Sequence, residues 1–493
     1  MIDLTVKQEV LNRAIERAKN EKIIYPTFAQ QRDPSLIPDV IKEKLKDVGL
    51  WEINALNLFR IGWHNEPTMH GGTFGPVNYV EIPSALTGVK AKIFMLVGKW
   101  MPTGCHKVGA SFACLVPRLV TGQFDPTYHK AVWPSTGNYC RGGAFNSKLL
   151  DCYSIAILPE GMSRERFDWL NEIASETIGT PGTESNVKEV FDKTWELRRT
   201  REDCVIFNQF DEMGNPVWHY NITGPAMEEA FEAVKADGDR FTGAFFTSGS
   251  GGTISAGSYI KKLHPDLKLS VGEALQCPTI LNNGFGAHRL EGIGDKHIPW
   301  VHNVKDTDMV CAIDDEDTMN LLRLFNTEVG KQYLKDEVGL TEKQVDDLSL
   351  LGISSIANLL GCIKMAKYYE MTEKDVIGSV ATDSFEMYTS RVPELDEEQG
   401  EYTRDTAIRD YHAHILGIRT DNMAELNYYD RKRVHNLKYY TWVEQQGRTS
   451  EDLNDLWYDE TYWDRTNAQV HDMDRLINEF NEATGVLKEM EGK

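Results

Sequence analysis

Between residues 78 and 392, short apolar runs alternate with amphipathic segments of helical period, and this alternation constrains the fold more than any other feature. The runs "AKIFMLVG", "HKAVWPS", "CYSIAILP", "DCVIFNQF", "GAFFTSG" and "LKLSVGEAL" have the length and character of buried strands. Helices are expected at "KVGASFACLVPRLV", "YCRGGAFNSKLL", "GPAMEEAFEAVKA" and "GGTISAGSYIKKL". Parallel strands need crossover connections, and helices supply them while covering the sheet faces, so the class is α/β. In open sheets of this kind ligands collect beyond the carboxyl ends of the strands. That directs attention to the loops at 101–107, 134–140 and 247–253, which are rich in Gly, Ser, Thr and Asn.

The flanks read differently. The amino terminus, "MIDLTVKQEVLNRAIERAKNEK", is a charged amphipathic helix without the apolar core of a signal peptide, and no membrane-length apolar run occurs, so a cytoplasmic protein is expected. Beyond 392 an acidic linker, "VPELDEEQGEY", leads into a segment crowded with Tyr, Trp, Asp and Arg, too aromatic for a disordered tail and expected to be helical. There are 53 Lys and Arg against 75 Asp and Glu, a net charge of -22, and no local basic patch, which argues against nucleic acid or an anionic membrane as partner. The eight cysteines include no CxxC pair, and the histidines of "DYHAHIL" lack further ligands at metal spacing, so no metal site is expected.

Three loops carry the candidate chemistry. "TSGSGGTISAG" (247–257) offers the backbone N–H groups of Gly249 to Thr253 and a helix amino end as a phosphate cradle, although an ordinary glycine-rich turn explains it equally well in isolation. It lacks the Gly-Lys-Ser/Thr of a Walker loop and does not fit GxGxxG in register. "PSTGNYCRGGA" (134–144) sets Ser135, Thr136 and Asn138 at a turn suited to a carboxylate or phenolate oxygen, or to a plain helix cap. "MPTGCHKVGA" (101–110) places Lys107 at the entrance to an apolar helix, where a lysine with a depressed pKa offers a free amine for a Schiff base; a surface lysine is the commoner fate. Together the amine, the Asn loop and the phosphate cradle suggest pyridoxal phosphate.

At this point the chain resembles the fold-type II pyridoxal-phosphate enzymes, the tryptophan synthase β and cysteine synthase superfamily, over about 78–392. "PTGCHKVGA" resembles the Schiff-base motif, "PSTGNYCRGGA" the Asn loop and "SGSGGTISAG" the phosphate loop. "NQFDEMGNPVWHYNITGPAMEE" and "LLGISSIANLLGCIKMA" resemble two further cysteine synthase segments in the same order, and "EGIGDKHIP" resembles the loop on the cofactor's face.

The resemblance implies two open, twisted, mostly parallel sheet domains flanked by helices, with the cofactor in the cleft between them. It implies a large domain built from 78–100 and 213–392, a small one from 101–212, and helical extensions over 1–77 and 393–493. Lys107 would hold the cofactor and act as the base at Cα. Asn138 would bond the ring's phenolic oxygen, Gly249, Ser250, Gly251, Gly252 and Thr253 the phosphate with His106 nearby, and Gly292 the ring face. Ser135, Thr136, Gly137, Tyr139 and Gln209 would face the substrate carboxylate.

Three departures from the family pattern stand out. Tyr139 and Cys140 occupy positions where cysteine synthases have a small residue and a glycine. Lys107 is followed by Val-Gly-Ala, unlike the Asp-Arg of threonine synthase and dehydratase relatives. Asp383 falls where the family sets a Ser or Thr beside the pyridine nitrogen. Either Asp383 makes that contact, or Thr382 or Ser384 does and Asp383 caps a helix.

The activity implied is β-replacement on a small L-amino acid through an aminoacrylate, with a small nucleophile as second substrate and a homodimer as the assembly. The alternative is β-elimination of the serine or threonine dehydratase or cysteine desulfhydrase type. More remote is a non-catalytic amino-acid-binding scaffold or a subunit of a synthase complex.

Overall fold

The computed structural model describes residues 1–135, 137–162, 164–182 and 186–492, with the side chains of 165 and 166 outside the description. Among the described residues eleven strands form two sheets. They are β1 (Tyr79–Ile82), β2 (Lys92–Val97), β3 (Lys130–Pro134), β4 (Tyr153–Pro159), β5 (Glu176–Thr180), β6 (Cys204–Ile206), β7 (Arg240–Thr247), β8 (Lys268–Ala274), β9 (Met309–Ile313), β10 (Asp375–Ala381) and β11 (Met423–Glu425).

The seven-stranded sheet runs β1-β2-β10-β7-β8-β9-β11 and the four-stranded sheet β5-β4-β3-β6. All neighbours are parallel except the edge pairs β1/β2 and β11/β9. The α/β class and the two parallel-rich sheets follow the sequence pattern. β9 and β10 are buried along their whole length, as strands covered on both faces must be, and the helix Ile353–Tyr368 against them is apolar nearly all round.

The terminal segments differ from expectation in two ways. The acidic stretch read as a linker is helical over Arg391–Gln399, where Arg323 draws its end inward through Asp396 and the Gly400 carbonyl. The aromatic tail is not purely helical, since β11 extends the large sheet. The two ends of the chain also hold each other: Gln469 exchanges side-chain bonds with both backbone groups of Ile2, Asn481 does the same with Tyr25, and Asp474 accepts from the N–H of Phe28 and Ala29. Among the described residues no single helix is long and apolar enough to cross a membrane.

Candidate active site

The chain leaves β2 through tight turns in which Thr103 (φ 67°) and Gly104 (φ 68°) are both left-handed, and Lys107 then opens the helix Lys107–Val120. Glycine is required at 104, because a Cβ there would stand 2.8 Å from Trp51. Lys107 meets polar partners although its sequence neighbours are apolar. Its Nζ donates to Ser250 Oγ at 2.7 Å and to Gln209 Oε1 at 3.2 Å. The first comes from the loop after β7 and the second from the loop after β6, so the amine stands where the two sheets meet.

Ser250 belongs to a loop packed directly on a second one. A Cβ on Gly249 would stand 2.5 Å from the Gly292 carbonyl, and Gly294 N donates to Ser248 O at 3.0 Å. Gly251 (φ 77°) turns the chain toward the helix Ile254–Leu263, and Gly292 (φ 94°) has open space where a side chain would be. His106, Lys107, Gly249 to Thr253, Gly292 and Thr382 line one cavity. Its walls thus combine an amine, a run of backbone around a helix start and an imidazole, a donor set suited to a phosphate-sized anion.

Sequence reasoning did not assign a role to Asn215. Its Nδ2 donates to Ser250 Oγ at 3.1 Å and to the Gln209 carbonyl at 2.9 Å, tying together both partners of Lys107. The absent side chain of Gly252 makes room for it, since a Cβ there would lie 2.0 Å from Asn215 Oδ1. The Asn-Pro pair within "MGNPVWHY" was the available signal.

The Asn loop is placed more unevenly. Gln209 Nε2 donates to Ser135 Oγ at 3.3 Å, and Gly137 N donates to the same oxygen at 3.1 Å, so these three residues gather beside the amine. Thr136 lies outside the described residues. Tyr139 does not join them: its ring packs edge-to-face on Trp133 at 5.4 Å, within the core of the small sheet. Its hydroxyl is buried without a hydrogen-bond partner and its pKa is pushed well up by desolvation and then by the Cys114 thiol, a placement that departs from the expectation that Tyr139 meets a substrate carboxylate.

Asn138 opens the helix Asn138–Leu149, and its Nδ2 donates across the cleft to Asp383 Oδ2 at 2.6 Å. Tyr388 OH, a second unassigned contact, donates to the same oxygen at 2.7 Å. Asp383 therefore does not act as a helix cap, and the short turn Phe385–Met387 beyond it takes Ser384 as its N-cap residue without a side-chain bond. Cys105 is inert, its thiol pushed up to about 12 by burial and then by the Asp383 charge.

No family model matches the chain. It is 28% identical over 302 residues to a probable cysteine synthase of Bacillus subtilis, covering 61% of this chain and 89% of the relative. It is 25% identical over 327 residues to the cystathionine beta-synthase of Saccharomyces cerevisiae, covering 64% of this chain and 60% of that one. Among solved structures, an O-acetylserine dependent cystathionine beta-synthase from Helicobacter pylori superposes with a TM-score of 0.53 at 23% identity, over 63% of this chain and 94% of that one. The O-acetyl serine sulfhydrylase isoform 3 of Entamoeba histolytica gives 0.55 at 19% identity, over 69% and 93%. At these identities the structural likeness is one of fold.

Proposed function

The chain belongs to the tryptophan synthase β and cysteine synthase superfamily of fold-type II enzymes, and from that premise we infer that it replaces a group at Cβ of a small L-amino acid, using pyridoxal 5'-phosphate held on Lys107. The observation that carries this reading is the triangle of Lys107 Nζ, Ser250 Oγ and Gln209 Oε1 beside the Gly249–Thr253 loop. The residues fit the cofactor: an amine in reach of a phosphate-sized cradle, open space at Gly292, and polar groups of Asn138, Thr382 and Asp383 along the cleft wall.

When bound, pyridoxal phosphate supplies the electron sink that makes the Cα hydrogen of an attached amino acid acidic. The chain's own groups would do the rest. Backbone N–H groups of Gly249 to Thr253 hold the phosphate, with His106 beside them. Ser135, Gly137 and Gln209 receive the substrate carboxylate. Lys107 Nζ, aimed by Ser250 and Gln209, takes the Cα proton and later returns it. The leaving group departs from Cβ with its electron pair, and sulfide or a thiol adds at that carbon.

Purified protein loaded with the cofactor and offered O-acetylserine, serine, threonine or cysteine, with and without sulfide or a thiol, tests the reading. A new thioether or thiol amino acid whose formation requires the sulfur nucleophile is expected. Pyruvate and ammonia released at a rate independent of that nucleophile would instead establish elimination.

A further inference from the structure

A second cavity, of about 290 Å³, shares no lining residue with the one formed by Lys107 and the Gly249–Thr253 loop. Its walls come from separate parts of the chain. The helix begun by Lys107 supplies Ala113 and Arg118, the loop after β6 supplies Asp211 and Glu212, and the aromatic extension supplies Arg448 and Tyr462.

Both signs of charge face this space. Arg118 Nη2 bonds Glu212 Oε1, and Arg448 Nη2 donates to Asp211 Oδ2 at 2.9 Å. Each pair leaves bonding capacity over: among the described residues Glu212 Oε2, Asp211 Oδ1 and the Nε and Nη1 groups of both arginines make no hydrogen bond. Burial raises the Glu212 carboxyl against the pull of Arg118, so this acid is short of positive charge. A simple anion here would meet two carboxylates and a simple cation two guanidiniums, whereas a zwitterion answers both. Met213 and Trp300 add apolar walls, and the volume lies near the lower end of small-ligand pockets, about 300–1,000 Å³.

We propose that this cavity binds a free L-amino acid with an apolar side chain of leucine's size, its carboxylate on Arg118 and Arg448 and its ammonium on Glu212 and Asp211. The site is one for an effector. Asp211 and Glu212 close a turn on the Asn208 carbonyl, at 3.1 and 3.0 Å, beside the Gln209 whose side chain meets Lys107, and Arg118 lies on the helix that Lys107 opens. An occupant therefore touches the far ends of both elements that bring Gln209 to the amine. The proposal stands on these residues alone and needs no premise about the reaction at Cβ.

Equilibrium dialysis of the full-length protein against L-leucine provides the test. It is run on cofactor-free protein and on protein loaded with pyridoxal phosphate and reduced with borohydride, which can no longer take an amino acid as a Schiff base. Saturable binding of one leucine per chain is expected in both. 4-Methylpentanoate, which lacks the ammonium, and 3-methylbutylamine, which lacks the carboxylate, should each bind at least about tenfold more weakly. Arg448→Gln, at a side chain 36% exposed, should weaken leucine binding by about tenfold. Absence of saturable leucine binding, equal binding of 4-methylpentanoate, or unchanged affinity in folded Arg448→Gln would overturn the proposal. Binding lost on reduction with the cofactor would place the amino acid in the Lys107 cleft and overturn it as well. If Arg448→Gln fails to fold, the comparison of leucine with its two analogues on the wild-type chain decides. Leucine binding by a chain that takes up no pyridoxal phosphate would sink the cofactor reading and support this one.

Discussion

Asn138 Nδ2 and Asp383 Oδ2 stand 2.6 Å apart, a bond that joins the helix following β3 to the loop leaving β10 and so links the two sheets across the cleft. Tyr388 OH shares that carboxylate oxygen. Asp383→Ala would leave both buried donors without it, at a cost of about 1–3 kcal/mol in urea denaturation of the cofactor-free protein. Asp383→Asn, which keeps a carbonyl oxygen for the two donors, should lose less.

Gly252→Ala would drive a methyl into the space of Asn215 Oδ1 and displace the side chain that holds Ser250 and Gln209 together. Pyridoxal phosphate affinity, measured by equilibrium dialysis, should fall by about tenfold or more. Asn215→Ala should lower it in the same direction, since Ser250 loses a donor and keeps only Lys107.

Lys438, in the aromatic extension, is buried and donates to the carbonyls of Trp300 and His302, and Trp442 Nε1 donates to the Ile298 carbonyl, so the extension holds the segment that continues from the Gly292 loop. Burial pushes the Lys438 amine down to about 7. Unfolding returns it to an ordinary value of about 10.4, so between these values the unfolded chain binds a proton that the folded chain does not. Stability contributed at this site therefore rises from about pH 7 toward about pH 10. The neighbouring His302 and His435, both held down to about 3, stay neutral over that window. Thermal melts should show wild-type stability rising relative to Lys438→Met from the lower to the upper end of the window; a difference that does not change between them would contradict the assignment.

Much of this architecture was legible in the sequence because buried parallel strands announce themselves as apolar runs. Each of the six runs overlaps a strand, from β2 to β8 with β5 omitted. β5, "ETIGT", is polar and partly exposed, and β1 and β11 are edge strands of four and three residues, so none carries a strong pattern. β9 and β10 are buried throughout, but the Gly and Ser of "DVIGSVA" dilute its apolar signal.

In the site, the loops could be read from their Gly, Ser, Thr and Asn content, and the structure gathers Lys107, Ser250, Ser135 and Gln209 of four such segments. Partners lying outside those loops could not. Asn215 reaches Ser250 from 35 positions away and Asn138 reaches Asp383 from 245 away. Tyr139 was misplaced for the same reason, because its sequence position put it beside the substrate while Trp133 and Cys114 offered its ring a buried site on the other side.

The central claim is that Lys107 is the residue that holds the cofactor. Protein incubated with pyridoxal phosphate, reduced with borohydride, digested and sequenced by mass spectrometry should carry a single pyridoxyl group on the peptide containing Lys107, and Lys107→Ala should carry none. A pyridoxyl group on another lysine with Lys107 unmodified, or labelling undiminished in Lys107→Ala, would contradict the account.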